Sequence, residues 1–226
     1  VRDRVLHKHK GARFIVASAQ SSHRPYSLIE RLLRLRFDIP EYLGGTIAGE
    51  RFERAGEVLF GDSSGAEVAR TCGPMLGFHF WAEHDIDFED RNEQARRATE
   101  ALHTLWMRDL RDAPTVVLID DAGECDAKSQ EFLATLKPDI SGLPVVFLFV
   151  TDDRGIGRRE WFGTLDSVSL QPLDDGALQS LAAKALTGID GITERALSVL
   201  AQHAEGKPGA LLAAIESLVA KGGIRE

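Results

Sequence analysis

Residues 115–126 read TVVLIDDAGECD, an apolar and β-branched run that begins after Pro114 and passes straight into two adjacent aspartates. A run this short and continuous, with Gly123 close behind it, fits a parallel strand buried on both faces. Asp120 and Asp121 would then emerge at the carboxyl end of that strand, where open α/β sheets bind their ligands. Paired acids at such a place suit a nucleotide carrying Mg²⁺. One carboxylate, Asp120, would reach the metal or its water, and Asp121 would polarise an attacking water.

A chain of 226 residues can bury a sizeable core as one large domain, or as one medium and one small. Its 43% hydrophobic and 27% charged content is that of a soluble globular protein. A net charge of −8 and a pI near 5.4 argue against direct contact with nucleic acid, because phosphate backbones need a basic surface. The longest apolar runs, such as residues 145–150, are too short to span a bilayer, so no membrane partner is expected. The opening residues 1–10 are highly charged and carry no signal-peptide pattern. Cys72 and Cys125 have no metal-ligand spacing and read as reduced thiols of a cytoplasmic protein. Cys125 has no activating histidine near it in sequence, which argues against a nucleophile.

Along the chain, Val1, Val5 and Leu6 share one helical face ahead of a glycine stop at Gly11, and a buried strand follows at 14–17. Residues 27–37 predict an amphipathic helix with Leu28, Ile29, Leu32 and Leu35 on one side and Arg31, Arg34 and Arg36 as a solvated basic stripe. Between 38 and 77 glycine is frequent, and short helices joined by loops are expected. A long helix follows at 90–111, where Ala95, Ala98, Leu102, Leu105 and Trp106 recur at helical spacing. After the acidic strand, Asp126 is a suitable N-cap for a helix over 127–136. Residues 144–150 form a second continuous apolar strand ending in TDDR, and 167–170 a shorter one. Trp81, Trp106 and Trp161 read as packing residues, and the pair His7 and His9 as solvent-exposed. From residue 171 the pattern is all helical. The fold class is therefore α/β, an open parallel sheet over 1–170 followed by a small all-helical domain over 171–226.

In this order, the amphipathic helix, VVLIDD, the short acidic turn into a helix, VVFLFVTDDR, a strand leading into QPLDD, and EGKPGALLAAI resemble a known family. It is the AAA+-related signal-transduction NTPases of the STAND group, as found in multidomain bacterial adenylate cyclases and large helix-turn-helix transcription regulators. The resemblance covers most of the chain and is weakest between residues 38 and 90. It implies a P-loop NTPase-type sheet with a helical lid, and ATP or ADP with Mg²⁺ as cofactors. Asp120, Asp121, Asp126 and Ser129 follow the family's acidic cadence, with Glu124-Cys125 in place of its usual His-Trp-Ala flavour. Thr151 and Arg154 match the residues that approach the terminal phosphate, with one extra acidic residue between them. Arg158 and Arg159 compete with Arg154 for that role. Gly206-Lys207-Pro208 occupies the place of the lid turn whose proline packs near the adenine; the alternative for Pro208 is a plain first-turn proline of the last helix.

The family's phosphate loop, GxxxxGK(S/T), is absent from the 226 residues. In the family that loop leads through a helix and a glycine into the second strand, and residues 1–10, Gly11 and 12–17 match this succession. The sheet is thus expected to be truncated at its N-terminal edge, with the loop either upstream of Val1 or lost. Without the loop's N–H groups and lysine, two neighbouring anions face a polyanion, so this segment alone should bind ATP weakly or not at all. The expected function is an ATP-binding regulatory switch of a larger signal-transduction or transcription-regulating protein. Hydrolysis would be slow or absent, adjacent domains of the same polypeptide would be the partners, and homo-oligomers remain open. The alternatives are a nucleotide-independent scaffold of the same fold, or a small-molecule hydrolase on an unrelated sheet. Against the hydrolase, no GxSxG or similar nucleophile arrangement is present.

Overall fold

The apolar runs that the sequence marks become three parallel strands in the computed structural model, β1 (Arg13–Ser18), β2 (Thr115–Asp120) and β3 (Val145–Phe149). The structure describes residues 11–19, 24–81, 91–152, 165–187, 189 and 192–221. The expected helix over 1–10, Arg154, Arg158, Arg159 and Trp161 lie outside the described residues. Strand order is β1-β2-β3, which puts the acidic strand at the centre, with Ser18 level with Asp120 and Ile119 level with Phe149. The chain divides into two units, Val1–Leu165 and Asp166–Glu226.

Between β1 and β2 run α1 (Ser27–Arg36), α2 (Gly45–Phe60), α3 (Ser64–Cys72) and α4 (Arg91–Asp112), and between β2 and β3 runs α5 (Ala127–Leu136). The apolar faces of α1, α4 and α5 share a core with one side of the sheet, and α2 and α3 pack on each other and on α4. Ile15 and Ala17 of β1 and Val117 and Ile119 of β2 are buried in one core with Ile29 and Leu32 of α1, Leu102, Leu105 and Trp106 of α4, and Phe132 of α5. The Trp106 ring lies 6.4 Å from that of Phe147 on β3. The opposite side of the sheet is different. Val16 of β1 and Val146 and Leu148 of β3 are exposed there, and Val116 and Leu118 of β2 are partly buried, so the acidic strand, expected to be buried on both faces, is fully buried on one and partly on the other.

The arginines of α1 correct a second expectation. Arg34 is buried, not solvated: its guanidinium bonds Glu30 at 2.9 Å and the carbonyls of Pro40 and Leu43. It also lies over the Phe78 ring, 4.8 Å from the centroid, and Phe78 stacks on Phe52. Arg36 and Arg13 converge on the buried carboxylate of Asp109 in α4, at 2.7 and 2.6 Å. Fixing a carboxylate inside a core needs such partners, which is why the stripe turns inward. Leu35, in contrast, is exposed rather than part of the apolar face, and so is Ala95 of α4. Trp81 is exposed too, its indole N–H donating to Glu50, while Trp106 is buried.

The glycines of residues 38–77 loosen the sequence pattern, yet they serve tight helix packing. α2 is a full 16-residue helix that crosses α3 at Gly56 and Gly65. A Cβ on Gly65 would stand 2.0 Å from the Gly56 carbonyl oxygen, so only glycine permits this approach.

The second unit holds α6 (Asp175–Ala185), α7 (Glu194–Ala204) and α8 (Pro208–Ala220) around Leu178, Ala182, Ala201, Ala204, Leu211 and Ile215. Asp174 caps α6 through the Ala177 N–H at 2.7 Å, and Thr193 caps α7 through that of Ala196 at 3.2 Å. The strand expected over 167–170 does not form. Residues 166–174 have no regular structure, and Val168 and Leu170 are 89% and 90% exposed. Apolar residues make a strand only where a ladder partner and a covering layer exist, and this stretch has neither among the described residues. No described helix is long and apolar enough to cross a membrane.

Candidate functional site

β2 ends at Asp120, and the next residue turns sharply. Asp121 takes a left-handed conformation (φ 50), which a short polar side chain tolerates better than a bulky one. Its N–H donates to Asp120 Oδ1 at 2.9 Å, and a single tight helical turn, Ala122–Glu124, follows. Both neighbouring strands pin the turn. The Ala19 N–H donates to the Asp120 carbonyl at 2.8 Å, and the Ala122 N–H donates to the Val150 carbonyl at 2.9 Å. From β1, the Ser18 hydroxyl donates to Asp121 Oδ2 at 3.1 Å. Arg31 of α1 in turn donates to the Ser18 carbonyl at 2.6 Å and pairs with Glu41 at 3.2 Å. The carboxyl end of the sheet thus holds two carboxylates whose side chains are oriented by backbone and hydroxyl donors.

No family model, characterised protein or solved structure matches the chain. The chemistry of the site must therefore be read from its own residues. Asp120 is exposed and Asp121 half-buried, and each uses one carboxylate oxygen in the contacts above. Among the described residues no three His, Cys, Asp or Glu side chains gather as a metal-binding group. Two carboxylates still fit Mg²⁺, which keeps several waters and takes only one or two acids from a protein alongside substrate phosphates.

Thr151 directly follows Val150 and so sits beside the acidic turn, its hydroxyl donating to the Asp152 carbonyl at 3.3 Å. Gly206 and Pro208 belong to the second unit. Gly206 has φ +79, its carbonyl accepts from the Leu173 N–H at 2.9 Å, and a Cβ there would stand 2.4 Å from Pro172 Cβ. Pro208 occupies the first turn of α8, where its fixed φ and missing N–H do no harm.

Asp126 is a structural tie. Its carboxylate accepts from the Ser129 N–H at the start of α5 (2.9 Å), as the sequence suggests. It also accepts from the Tyr26 N–H (2.9 Å), the Ser27 hydroxyl (3.1 Å) and the Leu28 N–H (3.3 Å), so one side chain caps α1 and α5 together. Burial pushes this carboxyl up, but the hydrogen bonds from Ser129, Leu28 and Tyr26 outweigh it and hold the group below its usual value. Neither cysteine is placed for chemistry. Burial pushes the Cys72 thiol up to about 12, and Cys125 is buried with its sulfur against the Asp126 carbonyl.

Sequence reasoning missed Ser18 and Arg31 as neighbours of the acids. The available signal was that Ser18 is the first polar residue after the apolar core of β1, in the same position that Asp120 holds on β2.

Proposed function

We propose that this chain is the nucleotide-responsive part of a larger cytoplasmic regulatory protein, an ATP- or ADP-binding switch module that hydrolyses ATP slowly or not at all. The observation that carries the reading is the acidic turn at the carboxyl end of the central parallel strand, where Asp120 and Asp121 are held in a fixed arrangement by Ser18 and by both flanking strands. Open parallel sheets take their ligands at this end. Asp120, the more exposed acid, would hold Mg²⁺, and bound Mg²⁺ supplies charge neutralisation at the phosphates. Asp121, oriented by Ser18, would accept a hydrogen bond from a water near the terminal phosphate, and Thr151 stands on the adjacent strand end. Neighbouring domains of the polypeptide would respond to the lid helices, since bound nucleotide can bias a two-state element.

MgATP titration by calorimetry tests this. The 226-residue chain should bind weakly or not at all, because no phosphate-cradling loop is present in it, and the full natural polypeptide should bind in the micromolar range. In that polypeptide Asp121→Asn should keep binding and slow any turnover sharply. Absence of binding by the full polypeptide refutes the switch, micromolar binding by the 226 residues alone refutes the need for a loop, and unchanged turnover removes Asp121 from water positioning.

A second reading, a nucleotide-independent scaffold, is favoured by the apolar residues that α8 leaves exposed, Leu212, Leu218 and Val219.

A further inference from the structure

A chain of contacts running back from α1 sets the side chain that meets Asp121. It begins in the loop after that helix. Arg34 is buried and donates to the carbonyls of Pro40 and Leu43 at 3.2 and 3.1 Å, which ties the 40–43 loop to α1. The loop carries Glu41, whose carboxylate lies 3.2 Å from Nε of Arg31, one helical turn before Arg34. A second nitrogen of the same guanidinium, Nη1, donates to the Ser18 carbonyl at 2.6 Å. Arginine suits this post because its planar fork serves two acceptors in fixed directions, which the compact ammonium of lysine does not.

The Ser18 carbonyl is the acceptor that the sheet itself leaves open. Along a strand, the carbonyl of one residue and the N–H of the next belong to one peptide group and point to opposite edges. The Ala19 N–H donates to the Asp120 carbonyl at 2.8 Å, so the Ser18 carbonyl faces the outer edge of β1, where no strand pairs among the described residues. A backbone acceptor in partly buried surroundings needs a partner, and Arg31 supplies a charged one. The Ser18–Ala19 peptide is thereby held at its oxygen by Arg31 and at its nitrogen by the Asp120 carbonyl, and linked bonds of this kind strengthen one another. A fixed peptide fixes the direction in which the Ser18 side chain leaves the backbone. Its hydroxyl donates to Asp121 Oδ2 at 3.1 Å.

We propose that Arg31 is a positioning residue of the acidic turn. Through the Ser18–Ala19 peptide it aims the Ser18 hydroxyl and so sets the orientation of the Asp121 carboxylate, while Glu41 holds Arg31 in place. The competing account is a purely structural tie, in which Arg31 satisfies an edge carbonyl and Asp121 is indifferent to it. The consequence for turnover rests on the nucleotide reading above, in which Asp121 holds a water; the geometry does not.

Carbon-13 NMR of the 226-residue chain reads the Asp121 side-chain carboxyl directly and needs no ligand. Ser18→Ala should move that resonance. Arg31→Ala should move it in the same direction, and the double variant no further than Ser18→Ala alone, because the arginine acts through the serine. The carboxyl of Asp139, an exposed surface group, should stay in place in all three. Should Arg31→Ala fail to fold, Glu41→Gln, at an exposed position, must shift the Asp121 signal the same way. In the full natural polypeptide Arg31→Ala should slow any MgATP turnover about tenfold while KM stays within about twofold, a split that lost stability alone does not produce. An Asp121 resonance unmoved in Arg31→Ala overturns the proposal. So do additive shifts in the double variant, which would mean that the arginine's charge acts through space, and so does parent-like turnover. Failure of the nucleotide reading looks different: the unsubstituted full polypeptide then binds no MgATP, and the carboxyl resonance still decides whether Arg31 positions Asp121.

Discussion

Asp126→Ala should cost more than any ordinary helix cap, because its carboxylate serves two helices that start 100 residues apart in sequence. Tyr26, Ser27 and Leu28 donate to it from α1 and Ser129 donates from α5. Losing one N-cap costs about 0.5–2 kcal/mol. Two caps lost together, with half-buried donors left without an acceptor, place the substitution at about 2–4 kcal/mol. Asp126→Asn can keep an acceptor at Oδ1, which takes the N–H groups of both Tyr26 and Ser129, but loses the one at Oδ2 that serves Ser27 and Leu28, and should fall at about half that loss. Urea unfolding followed by far-ultraviolet circular dichroism measures the total, and native-state hydrogen exchange locates it. Amides at both helix starts, Leu28 and Ser129, should exchange faster in the alanine variant. A loss below about 1 kcal/mol, or faster exchange at Ser129 alone, would show that the α1 contacts carry no energy and would refute the double cap.

The same side chain sets an acid limb. Its folded carboxyl sits below the ordinary value of 3.8, so its contribution is fully present above that value and is lost as the pH falls through the lower, folded value. The stability of the parent should therefore drop more steeply than that of Asp126→Ala below about pH 4.

Asp109→Ala leaves Arg13 and Arg36 facing each other without their shared carboxylate, and breaking a buried pair of this kind costs about 3–5 kcal/mol, read as a fall in the urea midpoint of the first unit. Gly206→Ala forces a left-handed alanine against Pro172 and should destabilise the α6–α8 unit by about 1–3 kcal/mol, leaving the first unit's transition in place.

The elements with a strong period were legible, and the misreadings share a cause. β2, α5 and the N-cap at Asp126 follow from local pattern alone: an apolar run, a polar stop, a capping residue ahead of a helical stripe. What pattern cannot carry is the identity of the neighbour. Arg34 and Arg36 look solvated on a helical wheel, and only the approach of α4, Phe78 and the 40–43 loop makes them interior ties. Residues 167–170 have the composition of a strand, but a strand is a pairing, and no ladder reaches them. Gly56 and Gly65 look like loop residues until two helices are seen to touch through them. The second acceptor role of Asp126 was equally hidden, because its donors at 26–28 come from a segment that sequence distance gives no reason to place nearby. At the acidic turn the pattern gave both aspartates and missed Ser18, whose part depends on the register of β1 against β2.

The electrostatics of that turn bear on any ligand it takes. Among the described residues, the arginines of α1 bond other groups: Arg31 the Ser18 carbonyl and Glu41, Arg34 Glu30, and Arg36 Asp109. The donors that do meet the carboxylates, the Ser18 hydroxyl and the Asp121 N–H, are neutral. Two acids that meet neutral donors in these contacts favour a cation over an anion, since a bare phosphate would meet like charge at close range. On the proposed reading, then, binding should be ordered by charge: nucleotide without a divalent cation gains nothing from Asp120 and Asp121, and nucleotide with one does. Replacing both acids by asparagine should narrow the gap between ATP and MgATP affinities in the full polypeptide. A gap that stays unchanged would place the metal, if one binds, on residues other than this pair.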